Sequence, residues 1–239
     1  MELLCIFAAL AVLFLFCAFL TLKCNLHAAL APLTALGIAV AWLTAAGMAN
    51  LLLPGTVLLW AVFAGSGVWA LVPHKGQLPA YRRLVTPGAV LFWGMALAFA
   101  VYFFIRQPLA TKYDELSLWA TAVKVTKADN RLYALATLGT PWPQTQNPGL
   151  PLLSYFFQFL GHYTDWKIYV AYDVLAAAVF AAVLGGLNFR QYRIAVPLAA
   201  ICWFAPWFLT VYNHTIYLDT TYMLSLIHIS EPTRHLRIS

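Results

Sequence analysis

Leu3-Leu4-Cys5-Ile6-Phe7-Ala8-Ala9-Leu10-Ala11-Val12-Leu13-Phe14-Leu15-Phe16-Cys17-Ala18-Phe19-Leu20-Thr21-Leu22 is a run of about 20 residues without a charge. Crossing ~30 Å of hydrocarbon as a helix takes about 20 apolar residues, so this stretch reads as a membrane span. Glu2 in place of basic residues, the length of the run and the lack of a small-x-small site before Lys23 argue against a cleaved leader. The rest of the chain follows the same pattern. Its 239 residues are 63% hydrophobic and 9% charged, with mean hydropathy +0.78. Further apolar runs cover 28–48, 55–72, 86–105, 168–187 and 194–212. Pro32, Gly37, Pro197 and Pro206 inside them are tolerated where neighbouring helices satisfy the freed backbone groups.

The expected fold is an all-α polytopic membrane protein of about six or seven spans. Residues 1–105 form a four-helix membrane region and 106–167 an outward loop. Residues 168–223 supply further spans and an outer loop. From Leu224 to Ser239 the sequence looks like an in-frame translation of a sequencing adapter, expected to be foreign to the gene, which leaves the native part as a fragment ending at Met223. The net charge of +6 becomes +5 without the two Arg and one Glu of that tail. In such a chain this charge points to cytoplasmic anchoring and anionic lipid rather than to nucleic acid. No pair of the four Cys has metal-ligand spacing, and Gly65-Ser66-Gly67 reads as close helix packing.

Lys and Arg in short loops set the orientation. Lys75, Arg82, Arg83, Arg190 and Arg193 are placed in the cytoplasm by the positive-inside rule, in agreement with Lys23. The long segment 106–167 then faces outward, and so does Asp219. Leu150 to Gly161, about 12 residues, leaves two readings: re-entrant or tilted, or a crossing that would reverse every later loop.

Asp114 and Glu115 follow directly on a span. Acids near hydrocarbon cost up to about 3 kcal/mol each, so a pair there is a functional hypothesis. After them Leu116, Trp119, Ala120 and Val123 fall on one helical stripe, with Lys124, Lys127 and Arg131 within about 60° of one another beside it. Such a helix lies in the headgroup plane and holds anionic lipid groups. The plainer alternatives are snorkelling cations and an Asp114 helix cap. Gly139 to Gly149 then breaks any helix. It carries Trp142, Gln144, Gln146 and Asn147, amides beside an aromatic ring that suit a sugar; the plainer alternative is a solvated turn with an interfacial Trp. Asp165 is expected to balance Lys167, and Asp173 to find a partner within the bundle.

Three stretches resemble the polyprenyl-phosphate-sugar-dependent membrane glycosyltransferases of the GT-C fold, in the protein-O-mannosyltransferase-like group. They are Tyr113-Asp114-Glu115-Leu116-Ser117-Leu118-Trp119 with Lys124, Asn147-Pro148-Gly149-Leu150-Pro151-Leu152-Leu153-Ser154-Tyr155-Phe156-Phe157, and Tyr217-Leu218-Asp219. The resemblance covers about Lys112 to Met223. It implies a base at Asp114 or Glu115 and phosphate contacts among Lys124, Lys127 and Arg131. Asp219 matches the family's later aspartate. A lipid-linked sugar would be the donor, a glycan or protein hydroxyl the acceptor, and a bacterial cytoplasmic membrane the setting. No cofactor is implied, although some relatives bind a divalent metal. Four spans before the acidic loop, rather than one, depart from the simplest family pattern. A transporter and a non-catalytic membrane scaffold are the readings from other classes. A transporter would favour ionisable groups at mid-membrane, whereas these acids cluster at one mouth.

Overall fold

A computed structural model describes residues 1–72, 81–111, 115–135 and 147–213. Among them are eight α-helices: α1 (Glu2–Leu22), α2 (Ala31–Met48), α3 (Leu52–Leu71), α4 (Pro87–Arg106), α5 (Ala120–Asp129), α6 (Gly149–Phe157), α7 (Trp166–Val183) and α8 (Tyr192–Asn213). Five of these, α1 to α4 and α7, are long and apolar enough to cross a membrane. α8 has 22 residues and matches the sixth apolar run. Their outer faces carry exposed Phe14, Trp42, Val62, Trp69, Val101 and Ile201, an apolar exterior of the kind that marks a membrane-facing surface.

Local chemistry sets the helix ends. α4 begins where Thr86 accepts a hydrogen bond from the Ala89 N–H and Pro87 fills the first turn, a position where the missing donor costs nothing. It ends at Gln107, in the left-handed conformation at φ 43°, with Pro108 close behind. Pro32 likewise sits in the first turn of α2 rather than inside a span as expected.

Contacts at the helix ends fix the topology. At one end Lys167 pairs with Glu2, and Asp165 Oδ2 accepts from the Ala110 N–H at 3.1 Å. At the other, Arg83 donates to Asn25 at 2.9 Å. The chain leaving α4 therefore returns to the same end of the bundle to begin α7. α6, with 9 residues, spans only about 13 Å at 1.5 Å per residue. That is well short of the ~30 Å of hydrocarbon that a crossing helix spans. α6 is buried at every residue from Leu150 to Phe157, against α1, α2, α5 and α7.

Two close approaches depend on glycine. A Cβ on Gly67 would lie 2.3 Å from Leu15 Cβ and 2.4 Å from its carbonyl oxygen, where α1 and α3 touch and Phe16 stacks on Phe63 with centroids 3.8 Å apart. A Cβ on Gly88 would lie 2.7 Å from the Ala181 carbonyl oxygen, at the contact of α4 with α7. Gly67→Ala should destabilise the bundle by about 1–3 kcal/mol, the usual cost of overpacking. Gly65→Ala, with nothing within 4 Å of its Cβ, should be neutral. Thermal unfolding of the two variants in detergent separates these outcomes.

Candidate functional site

The segment between α4 and α7 builds the candidate site. Of its residues, Asp114, Trp142 and Gln144 lie outside the described residues, as does Asp219 farther along. Glu115 opens a π-helical turn, Glu115–Trp119, that leads into α5. Its side chain is buried and Oε2 accepts from the Thr111 N–H at 3.1 Å. A π turn takes more residues per turn than an α-helix, so the expected stripe loses its first member. Ala120 and Val123 are buried, but Leu116 is 51% exposed. The wider turn places Glu115 inward instead.

The three cations do not form one row. Lys124 and Arg131 are exposed. α5 ends at Asp129, and Asn130 takes the left-handed conformation at φ 51°, so Arg131 stands beyond the helix whose periodicity placed it beside Lys127. Lys127 turns back to the bundle. Its Nζ donates to the Phe159 carbonyl at 2.7 Å and lies 5.7 Å from the Tyr155 ring centroid. Burial, and then the nearby Lys167 charge, push its pKa below the ordinary 10.5. With that pKa depressed, the unfolded chain binds more protons than the folded one in the window just below 10.5. Stability therefore rises with pH across that window. Lys127→Met should flatten this part of the pH–stability curve; a slope unchanged in the variant would assign it to another group.

α6 closes the site from within. Tyr155 donates to Asn130 Oδ1 at 2.8 Å, tying α6 to the end of α5, and burial pushes its hydroxyl up to about 12. Asn147 is exposed, and its Oδ1 accepts from the Gly149 N–H at 3.0 Å. That oxygen shapes the entry to α6. Trp60 Nε1, Thr126 Oγ1, Ser154 Oγ and Gln158 Nε2 are buried and find no hydrogen-bond partner in the structure described. They sit on or beside α3, α5 and α6. Unpaired buried polar atoms are uncommon in folded proteins, and here they gather around α6. Short polar side chains scattered through apolar sequence gave no signal of this.

A second group was misassigned by sequence reasoning. Lys167 is fully buried, pairs with Glu2 and donates to the His162 carbonyl at 2.6 Å. Asp165, its expected partner, accepts instead from Ala110. A partner 165 positions away is invisible to local pairing, which favours the nearest opposite charge. Beside it a cavity of about 390 Å³ opens at this end, lined in part by Glu2, Gln107, Tyr163 and Asp165. Burial and the neighbouring Asp165 push the Tyr163 hydroxyl up, so it stays a neutral donor, and it reaches the Ala120 carbonyl at 3.3 Å.

Among the described residues no group of three or more His, Cys, Asp or Glu side chains is placed to hold a metal. The chain matches no family model, no curated protein and no solved structure. The functional reading therefore rests on the chemistry of these residues, their geometry and the motif resemblance.

Proposed function

We propose that the chain is a membrane glycosyltransferase that moves a sugar from a polyprenyl-phosphate donor to an acceptor hydroxyl. The reaction takes place at the bundle end carrying Glu115. The observation that supports this most is the return of the segment between α4 and α7 to a single end, with an enclosed carboxylate, cations and α6 held together there. The basic turns around Lys23, Arg82, Arg83 and Arg190 lie at the opposite end. With those turns in the cytoplasm, the site faces outward.

The acceptor hydroxyl gives its proton to a carboxylate as its oxygen bonds the anomeric carbon. The bond from that carbon to the phosphate oxygen breaks, the lipid phosphate leaves with the electron pair, and back-side attack inverts the anomeric centre. Cations offset the charge that grows on the phosphate. Lys124 and Arg131, exposed on the loop, are the cations free to reach it, since Lys127 is committed to Phe159. Glu115 is enclosed and bonded to the backbone, so it acts as a positioning residue and the base falls to Asp114.

The test uses the purified protein in liposomes loaded with labelled polyprenyl-phosphate sugar. Time-dependent release of polyprenyl phosphate is expected. Release no faster than from protein-free liposomes, across donors carrying the common hexoses and pentoses, would overturn the reading.

A further inference from the structure

The end of the bundle opposite the candidate site holds a cavity of about 540 Å³. Three turns wall it: Asn25 and His27 between α1 and α2, Arg82 and Arg83 before α4, and Asn188 before α8. Asn25 stands in the left-handed region at φ 56° and accepts from Arg83 Nη1 at 2.9 Å, which steadies that guanidinium beside the cavity. His27 Nδ1 accepts from the Ala29 N–H at 3.3 Å, so a neutral imidazole carries its proton on Nε2 as a further donor. Thr21 lines the same cavity, is 3% exposed, and its Oγ1 has no partner in the structure described. Thr86, at the N-terminus of α4, also faces it, and a helix N-terminus favours anions. No carboxylate is among the lining residues. Two guanidinium groups, a helix N-terminus and an unpaired buried hydroxyl make a receptor for a phosphate group.

What carries that phosphate follows from the neighbouring surface. One residue beyond Thr86 and Asn188, at Pro87 and Phe189, begins a groove of about 440 Å³ between α4 and α8. Its walls include Val90, Leu91, Gly94, Val196 and Trp203, hydrocarbon almost throughout. Gly94 keeps it open towards Trp203, whose ring would lie 3.2 Å from a Cβ there. A free phosphate ester would have no use for this groove.

We propose that cavity and groove together hold one anionic phospholipid, with its phosphate among Arg82, Arg83 and Thr21 and an acyl chain along α4 and α8. The site is distinct from the proposed sugar-transfer site at the other end and does not depend on that reading.

The test is native mass spectrometry of the full chain released from bilayers of equal phosphatidylglycerol and phosphatidylcholine. Wild type should retain one phosphatidylglycerol in preference to phosphatidylcholine. Each cation near a lipid headgroup is worth about 1 kcal/mol, so Arg82→Gln with Arg83→Gln should lower that preference on the order of 30-fold. Ala199→Leu, which fills the groove without touching a charge, should weaken retention of both lipids. Lys23→Gln removes a cation of the same end whose Nζ lies over Trp69, outside the cavity, and should change nothing. Equal retention of the two lipids, an unchanged preference in the double Arg variant, or an equal loss in Lys23→Gln would overturn the proposal. Displacement of the lipid by millimolar inorganic phosphate would overturn it too, since that would make the groove irrelevant.

Discussion

Asp114→Asn is expected to slow sugar transfer by about 10²–10⁴-fold, the usual worth of a positioned general base, with protein levels unchanged. The amide keeps the size and hydrogen-bonding capacity of the acid but cannot take the proton. The variant should also lose the acidic limb of the pH–rate profile, because that limb reports titration of the base. Glu115→Gln is expected to behave differently. Its side chain is buried and holds the Thr111 N–H, so the amide should lower the rate by loosening the loop while the acidic limb persists. Loss of the limb in Glu115→Gln and its retention in Asp114→Asn would exchange the two roles. Near-normal transfer by both variants would leave the pair a helix-entry device worth about 1 kcal/mol of stability. Lys124→Ala and Arg131→Ala should mainly raise the donor concentration needed for half-maximal rate, because they would meet the phosphate and not the acceptor.

The long helices were legible because each is an apolar run of span length, a property set locally by composition. The run 86–105 corresponds to Pro87–Arg106 and the run 3–22 to Glu2–Leu22, since Pro87 and Lys23 punctuate their ends. The brevity of α6 was legible for the same reason, but its side of the bundle was not. That depended on Asp165 meeting Ala110, a contact 55 positions apart. The site was less legible than the fold. A stripe counted at one angle per residue fails where the turn is π-helical, as at Leu116, and beyond a left-handed residue, as at Arg131. Glu115 was singled out for its place next to a span, and the reason it lies inward is the same π turn that exposes Leu116. The polar atoms of Thr126, Ser154 and Gln158 become conspicuous only once α6 is seen enclosed.

The pair of Glu2 with Lys167 ties the first turn of α1 to the first turn of α7, and its removal should cost more stability than any other polar change at this end. The two partners are unequal: the Lys167 side chain is fully buried, whereas that of Glu2 is 29% exposed. Glu2→Gln leaves an ammonium enclosed with neutral acceptors, the case in which breaking a buried pair costs about 3–5 kcal/mol. Partial exposure of Glu2 argues for the lower figure, about 3 kcal/mol, or roughly 6–12 °C in apparent melting temperature for a chain of this size. Lys167→Met leaves a carboxylate that still reaches solvent and the His162 ring, 3.1 Å away, and should cost less. The combined variant should melt close to Lys167→Met alone, because once the ammonium is gone the Glu2 charge has little left to offset. Gly161 supplies an independent check. A Cβ there would lie 2.6 Å from Glu2 Oε2 and 2.8 Å from Lys167 Nζ, so Gly161→Ala should destabilise the wild type and matter less in the combined variant. A Glu2→Gln protein that melts with the wild type would mean that Lys167 is satisfied by the His162 carbonyl alone, and the tie between α1 and α7 would then rest on apolar packing.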